Sequence, residues 1–496
     1  MDNQQGIDHK SAYRSIFKAT SLFGGVQLYK IIIELIKSKF VAILLGPMGV
    51  GISGLYNSGL SLVQQLTSFG LSSSAVRNVS EAYGTGDQNR VNTVVTALRR
   101  LVWITGILGM LAVMVFSPLL SKTSFGDNAH IIGFILISVT LLFSQISAGQ
   151  QVILQGTRKL KYLAKSSAIG VTIGLFISIP LYYFFGINGI IPNIIIGSIT
   201  ALLLTWYFSR KVRVEKVPLT SKQVFSEGRT MLVMGVAMSL TAILSSASAF
   251  ALRGFIRSLD GVEAVGLFSL GFTLTNQYTG LVFSAMSTDF YPRLSAVNSD
   301  NNKCTELVNR QNEIGTLIIA PMLATLIVFV PIVIKILASD KFLPVTDYMV
   351  WASWGVFFKM TSWSIGYMFL AKAESKLFVI TEVVSCIITF VFCILGYKLG
   401  GLAGIGVATA AALAFYLVMV FFIVKRKYSF SFSKGFVKIA SIQFLLVSAC
   451  VAVVYSLPTI PKYCVGVLIV GICVYVSLIG LNKRMDLKAI IRRKSH

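Results

Sequence analysis

Apolar runs of about twenty residues recur from one end of this 496-residue chain to the other, and that pattern limits the folds open to it. Each run is long enough to cross a hydrocarbon core about 30 Å thick. In lipid a spanning segment must satisfy its own backbone hydrogen bonds, so such runs are helices. They fall at about residues 16–45, 49–76, 93–118, 130–155, 163–185, 189–209, 230–256, 263–290, 309–337, 345–371, 376–397, 401–424, 436–457 and 463–482. That makes fourteen, the second and eighth being the least apolar. Only 13% of residues are charged, against about 25% in soluble domains. The expected fold class is an all-α polytopic membrane protein. Residues 1–15 are polar and no small-residue cleavage site follows the first apolar helix, so no cleavable signal is expected.

Lysine and arginine set the expected orientation. The N-terminal tail carries Lys10, Arg14 and Lys18, and every second connection is basic: 77–100, 158–165, 210–229, 293–310, 372–376, 425–438 and the tail from Lys483. These hold 33 of the 44 basic residues, while the alternate connections hold seven. The bias places both termini in the cytoplasm. It also explains the net charge of +25 as membrane anchoring, and no nucleic-acid partner is expected.

The two halves repeat at an offset of 215 to 216. Leu45-Gly46-Pro47-Met48-Gly49-Val50-Gly51 aligns with the turn ending Ala264-Val265-Gly266, Arg77 with Arg293, Leu154-Gln155-Gly156-Thr157 with Leu370-Ala371-Lys372-Ala373, and Gly186-Ile187-Asn188-Gly189 with Gly401-Leu402-Ala403-Gly404. Each repeat holds six helices, an even number, so both insert the same way up. Transporters built this way bind substrate near the midplane, between two lobes. The expected division is 1–217 for the N-lobe (helices 1–6), 218–430 for the C-lobe (helices 7–12), and 431–496 for helices 13–14 with a basic tail.

Catalytic and metal chemistry finds no foothold. The chain has no Gly-Lys dipeptide and hence no Walker A loop, no Gly-x-Ser-x-Gly elbow and no His-Glu-x-x-His. Its cysteines (Cys304, Cys386, Cys393, Cys450, Cys464, Cys473) are scattered without a C-x-x-C pair, and its histidines (His9, His130, His496) lie in the tails and one loop. No cofactor, metal or enzymatic activity is expected.

The positive signal is charge inside helices. In QLYKIIIELIKSKF, residues 27–40, Gln27, Lys30, Glu34 and Lys37 follow steps of three, four and three and share one helical face. Lys39 sits at the edge of that stripe. Facing lipid, each charge costs on the order of 3 kcal/mol, so the stripe should face a cavity or the bundle interior. Glu34 can bridge Lys30 and Lys37. Lys359, mid-helix in helix 10, and Glu382 in helix 11 are further intramembrane charges, and Arg253 and Arg257 lie near the outer end of helix 7. Helices 2 and 8 add Tyr56, Asn57, Gln64 and Gln65, then Asn276, Gln277 and Tyr278. Amides and phenols of this kind suit hydroxyl-rich sugars. Together these features describe a cationic, polar cavity for an anionic amphiphile.

Leu45-Gly46-Pro47-x-Gly49-x-Gly51 after a lysine-bearing first helix resembles the Wzx-type polysaccharide flippases of the multidrug/oligosaccharidyl-lipid/polysaccharide exporter superfamily. So do Val265-Gly266-Leu267-Phe268, Tyr291-Pro292-Arg293-Leu294-Ser295, and the block from Lys341-Phe342 through Trp354, Gly355, Lys359, Gly366-Tyr367 and Ala371-Lys372 to Glu382-Val383. The similarity runs over helices 1 to 12 and looks closest to O-antigen and enterobacterial-common-antigen translocases. It implies two six-helix lobes, alternating access, and cargo in the form of an oligosaccharide on undecaprenyl diphosphate, moved from the cytoplasmic to the periplasmic leaflet of a bacterial inner membrane. It implies diphosphate contacts at Lys30, Lys39 and Lys359, to which the residue reading adds Arg253 and Arg257. Expected partners are the lipid-linked cargo, membrane lipids, and the polysaccharide polymerase and chain-length machinery. The chain departs from the pattern in lacking a mid-helix arginine in helix 2, where Gln64 and Gln65 stand. Helices 13 and 14 resemble those of the fourteen-helix lipid II flippases.

Glu34, Lys37 and Glu382 are the candidates for ion pairing or for coupling to a proton. A drug/cation antiporter of the same superfamily calls for an acidic cavity, and a membrane polysaccharide polymerase for large periplasmic loops. The sequence shows neither.

Overall fold

A computed structural model describes residues 2–212 and 214–485 and, from Gly25 onward, all but a few of their side chains. The side chains of Lys10, Arg14, Lys18, Arg213 and Tyr278, and the tail beyond Met485, lie outside the described residues. The long elements are α1 (Asp2–Ser68), α2 (Leu71–Gly84), α3 (Gln88–Phe125), α4 (Ile131–Gly156), α5 (Leu160–Phe185), α6 (Ile190–Ser209), α7 (Ser221–Ala296), α8 (Asn301–Leu337), α9 (Thr346–Ala371), α10 (Ser375–Tyr428), α11 (Lys434–Ser456) and α12 (Thr459–Met485). Three of these are pairs of helices joined at a break: α1 at Gly46, α7 at Gly261 and α10 at Gly400–Gly401. With α2 continuing the second segment of α1, the described residues form six long helices up to Ser209, six from Ser221 to Tyr428, and two more.

Eight stretches among the described residues are long and apolar enough to cross a membrane, and Leu160–Ser209, Ser239–Gln277 and Ser375–Tyr428 each contain parts of two helices. The segments missing from that set are both halves of α1 and α9, the helices in which sequence places charged and polar side chains. The chain is a multi-pass, all-α membrane protein.

The backbone carries the repeat. Gly46 (φ 63°, ψ −172°) and Gly261 (φ 79°, ψ −174°) lie 215 residues apart in a conformation open essentially to glycine alone. Arg158 and Ala373 both have φ 57°, and Gly186 and Gly401 have φ 53° and 56°, each pair again 215 apart. The turns at Arg158 and Ala373 are closed by equivalent bonds, Lys159 N–H to Leu154 O and Glu374 N–H to Phe369 O, both 2.8 Å. α3 and α8 start on equivalent caps. Asp87 Oδ1 accepts from the Asn89 and Arg90 N–H groups at 2.9 and 3.3 Å, and Asp300 Oδ1 from Asn302 and Lys303 at 2.9 and 3.2 Å.

Two compact units divide the chain after Gly266. In Met1–Gly266, α3 packs on α4, α5 and α6 pack on each other and on α1 and α4, and the first part of α7 lies against α2. Ser74 Oγ donates to Met231 O at 2.6 Å there, and a Cβ on Gly70 or Gly235 would collide with the backbone of the other helix. The same closeness recurs after the breaks: a Cβ on Gly51 would strike Val262 O, and one on Gly266 would strike Pro47 O. In Leu267–His496, α8 carries α9, α11 and α12, and α9 packs on α10. α11 is pinned to α9 by Trp354 Nε1 donating to Ser448 Oγ at 3.0 Å. α12 is tied to α8 by Arg484 and Glu313 at 2.6 Å. The last two helices are thus built into the second unit.

A cationic cavity in the first unit

The first segment of α1 presents Lys30, Ile33, Glu34 and Lys37 to a cavity of about 360 Å³. The sequence stripe therefore does share one space, as steps of three and four along a helix require. Lys30 and Lys37 are half-buried and Glu34 is open to the cavity. Among the described residues none of the three makes an ion pair or hydrogen bond, so Glu34 does not bridge its lysine neighbours.

The other walls come from three helices of the same unit. α4 supplies Gln151. α5 supplies Ser166, Ser167, Gly170, Val171 and Gly174. α6 supplies Gly197, Ala201 and Thr205. A Cβ at Gly174 or Gly197 would meet nothing within 4 Å, so these glycines widen the space without serving a close helix contact. The walls are held by side-chain bonds just outside them. Tyr29 Oη and Thr172 Oγ1 join α1 to α5 at 2.7 Å, Thr205 Oγ1 donates to Ser147 Oγ at 3.1 Å, and Ser209 Oγ donates to Gln150 Oε1 at 2.6 Å. Gln151 and Ser167 make no side-chain hydrogen bond among the described residues and are available to a guest. The cavity thus joins two ammonium groups that are unpaired among the described residues, one carboxylate, and neutral donors and acceptors.

The sequence missed Gln151, Ser166, Ser167 and Thr205. Their signal is faint: Gln150-Gln151 in an apolar helix, and Gly197, Ala201 and Thr205 at steps of four.

The other expected site residues lie elsewhere. Lys39 is exposed and does not line the cavity. Tyr56 is buried in an aromatic cluster, its ring 5.0 Å from Phe125 and 4.9 Å from Phe134. Asn57 Nδ2 donates to Ser53 O at 2.8 Å, and Asn276 Nδ2 to Phe272 O at 2.8 Å. Gln64, Gln65 and Gln277 are half-buried. Arg253 Nη1 donates to Ala249 O, and Arg257 Nη1 to Phe125 O at the α3–α4 turn, both at 3.1 Å. In that turn the His130 ring and the Ala129 N–H hold the Asp127 carboxyl below the usual carboxylate range.

The second unit has its own charged group. Lys359 Nζ lies 5.4 Å from the centroid of the Phe283 ring, within cation–π range. Glu382 acts on it electrostatically, and the Glu382 Oε1 accepts a 2.5 Å hydrogen bond from Tyr416 Oη.

Comparison with known proteins agrees with this architecture. The solved lipid II flippase MurJ in an inward closed conformation superposes with a TM-score of 0.71 at 16% identity, covering 95% of this chain and 99% of that one. An inward-facing multidrug resistance MATE family transporter of the MOP superfamily superposes with a TM-score of 0.64 at 15% identity, covering 81% and 94%. The lipid III flippase of Escherichia coli (strain K12) is 21% identical over 383 residues, which is 76% of this chain and 90% of the relative, and that of Shigella flexneri matches equally. Residues 40–347, more than half the chain, match the family model described as polysaccharide biosynthesis protein, and the chain belongs to that family.

Proposed function

We propose that the protein is a flippase for oligosaccharide linked to undecaprenyl diphosphate, of the O-antigen repeat-unit type, carrying it from the cytoplasmic to the periplasmic leaflet of a bacterial inner membrane by alternating access. The observation that carries this reading is the cavity itself. Among the described residues Lys30 and Lys37 have no counter-ion bond, and they stand beside Gln151, Ser167 and Thr205. Two free ammonium groups favour a dianion, and neutral amides and hydroxyls favour sugar hydroxyls. The names of the matching relatives, lipid III flippase and lipid II flippase, support a lipid-linked cargo.

In this proposal Lys30 and Lys37 hold the diphosphate at one stage of the cycle. Lys359, with Lys39, Arg253 and Arg257, contributes positive potential at others, and the amides of the second and eighth helices (Asn57, Gln64, Gln65, Asn276, Gln277), with Tyr278, face sugar as the cargo moves. The polyprenyl tail stays in lipid. Both termini lie in the cytoplasm. A membrane potential supplies about 2.3 kcal/mol per charge per 100 mV, enough to bias such a cycle. The polymerase and chain-length machinery are the proposed downstream partners. The multidrug-transporter fold likeness leaves a cation antiporter as the competing reading, but two lysines against one glutamate make this cavity net positive.

Flipping in proteoliposomes tests the proposal, with wild type, Lys30→Ala and Lys30→Arg compared on undecaprenyl-diphosphate-linked oligosaccharide. Removing one charge-assisted contact is worth about 2 kcal/mol, or roughly a thirtyfold loss of rate. Alanine should show that loss and arginine should retain part of the rate. Normal flipping by a folded Lys30→Ala protein would remove the diphosphate from this cavity.

A further inference from the structure

Glu34 is the one cavity group that an anionic cargo should disfavour, yet it stands between the two lysines on the cavity-facing stripe. An ordinary structural ion pair would hold it within 4 Å of Lys30 or Lys37, and no such pair forms. The walls facing it from α4, α5 and α6 contain no other ionisable side chain: Gln151, Ser166, Ser167 and Thr205 are all neutral. Among the described residues that line the site, the ionisable side chains are therefore two lysines and one glutamate.

We infer that Glu34 takes up a proton from solvent as the diphosphate headgroup enters the cavity, so that cargo and proton bind together. The inference rests on the proposed diphosphate site. A diphosphate esterified at both ends carries two negative charges, which Lys30 and Lys37 neutralise. An ionised Glu34 leaves the loaded cavity with one excess negative charge, whereas a protonated Glu34 leaves it neutral. Neutrality matters inside a bilayer, where an uncompensated charge is costly. Protonation also converts an acceptor-only carboxylate into a hydroxyl donor for a phosphate oxygen. Release of the cargo into the opposite leaflet restores the ionised carboxylate and returns the proton to solvent.

The test is calorimetric titration of the purified full-length protein with undecaprenyl-diphosphate-linked oligosaccharide, whose doubly esterified diphosphate stays a dianion near neutral pH, in two buffers of different ionisation enthalpy, for wild type and Glu34→Gln. Protons gained or lost by the ligand are common to both proteins, so the difference between them belongs to Glu34. Wild type should take up close to one more proton per bound ligand than E34Q. Its affinity should rise up to tenfold for each pH unit lowered, a component absent from E34Q. Methylenedisulfonate, a diphosphate-shaped dianion that does not titrate, gives the same count on wild type alone, without relying on the variant's folding. Equal proton counts for wild type and E34Q, with both binding, would overturn the inference and leave the diphosphate site standing. No binding of that lipid-linked oligosaccharide by wild type at any pH would overturn the site and the inference together.

Discussion

A charged side chain inside a membrane helix persists only where its surroundings compensate it, and the two intramembrane lysine environments here do so differently. Lys30 and Lys37 open onto a cavity with no bonded partner among the described residues, whereas Lys359 lies over the Phe283 ring with Glu382 as its electrostatic counterpart. This contrast makes Lys359 the informative residue for separating stability from transport. Methionine has nearly the same shape without the charge, but removing one partner of a buried charge pair leaves the other, here Glu382, uncompensated. Lys359→Met should therefore lower the melting temperature, with Glu382→Gln added to it restoring part of the loss, and should slow flipping by roughly tenfold or more, the cost of about 1.4 kcal/mol of lost attraction. Wild-type flipping in that variant would reduce Lys359 to a packing residue.

Among the helices, breaks and small residues set what the bundle can hold. Gly51 and Gly266 permit backbones to touch and cannot accept a side chain, but Gly174 and Gly197 stand over empty space. An interior helix glycine costs about 1 kcal/mol relative to alanine. Gly174→Ala and Gly197→Ala should each stabilise the protein by up to that amount, read as a higher melting temperature. A lower one would show that these positions serve close packing after all. The contrast also shows what the sequence could convey. The fourteen helices were legible because apolar length is imposed by the bilayer, and the Lys30–Glu34–Lys37 stripe because charge in an apolar run follows helical spacing. The opposite walls were not legible, since Ser166, Ser167, Gly197 and Thr205 look like the small residues of any membrane helix contact. Nor did the sequence reveal that Tyr56 packs against Phe125 and Phe134, or that Asn57 and Asn276 bond their own helices. Those outcomes depend on neighbours far away in the chain.

For the whole molecule, the 215-residue repeat makes two similar six-helix halves, and the added pair α11–α12 is anchored on α8 and α9. The same architecture appears in solved proteins named for lipid flipping and for multidrug resistance, so the fold leaves the cargo open and the lining of the cavity must select it. In the proposed function the cavity between α1, α4, α5 and α6 receives the headgroup of a lipid-linked oligosaccharide. Filling that space without touching a charge tests it most directly. In proteoliposomes, Gly197→Ala should flip undecaprenyl-diphosphate-linked oligosaccharide at close to the wild-type rate. Gly197→Leu, placing its side chain in the cavity of a folded protein, should slow flipping at least tenfold. Unimpaired flipping by folded Gly197→Leu would exclude this cavity and move the cargo to another part of the molecule.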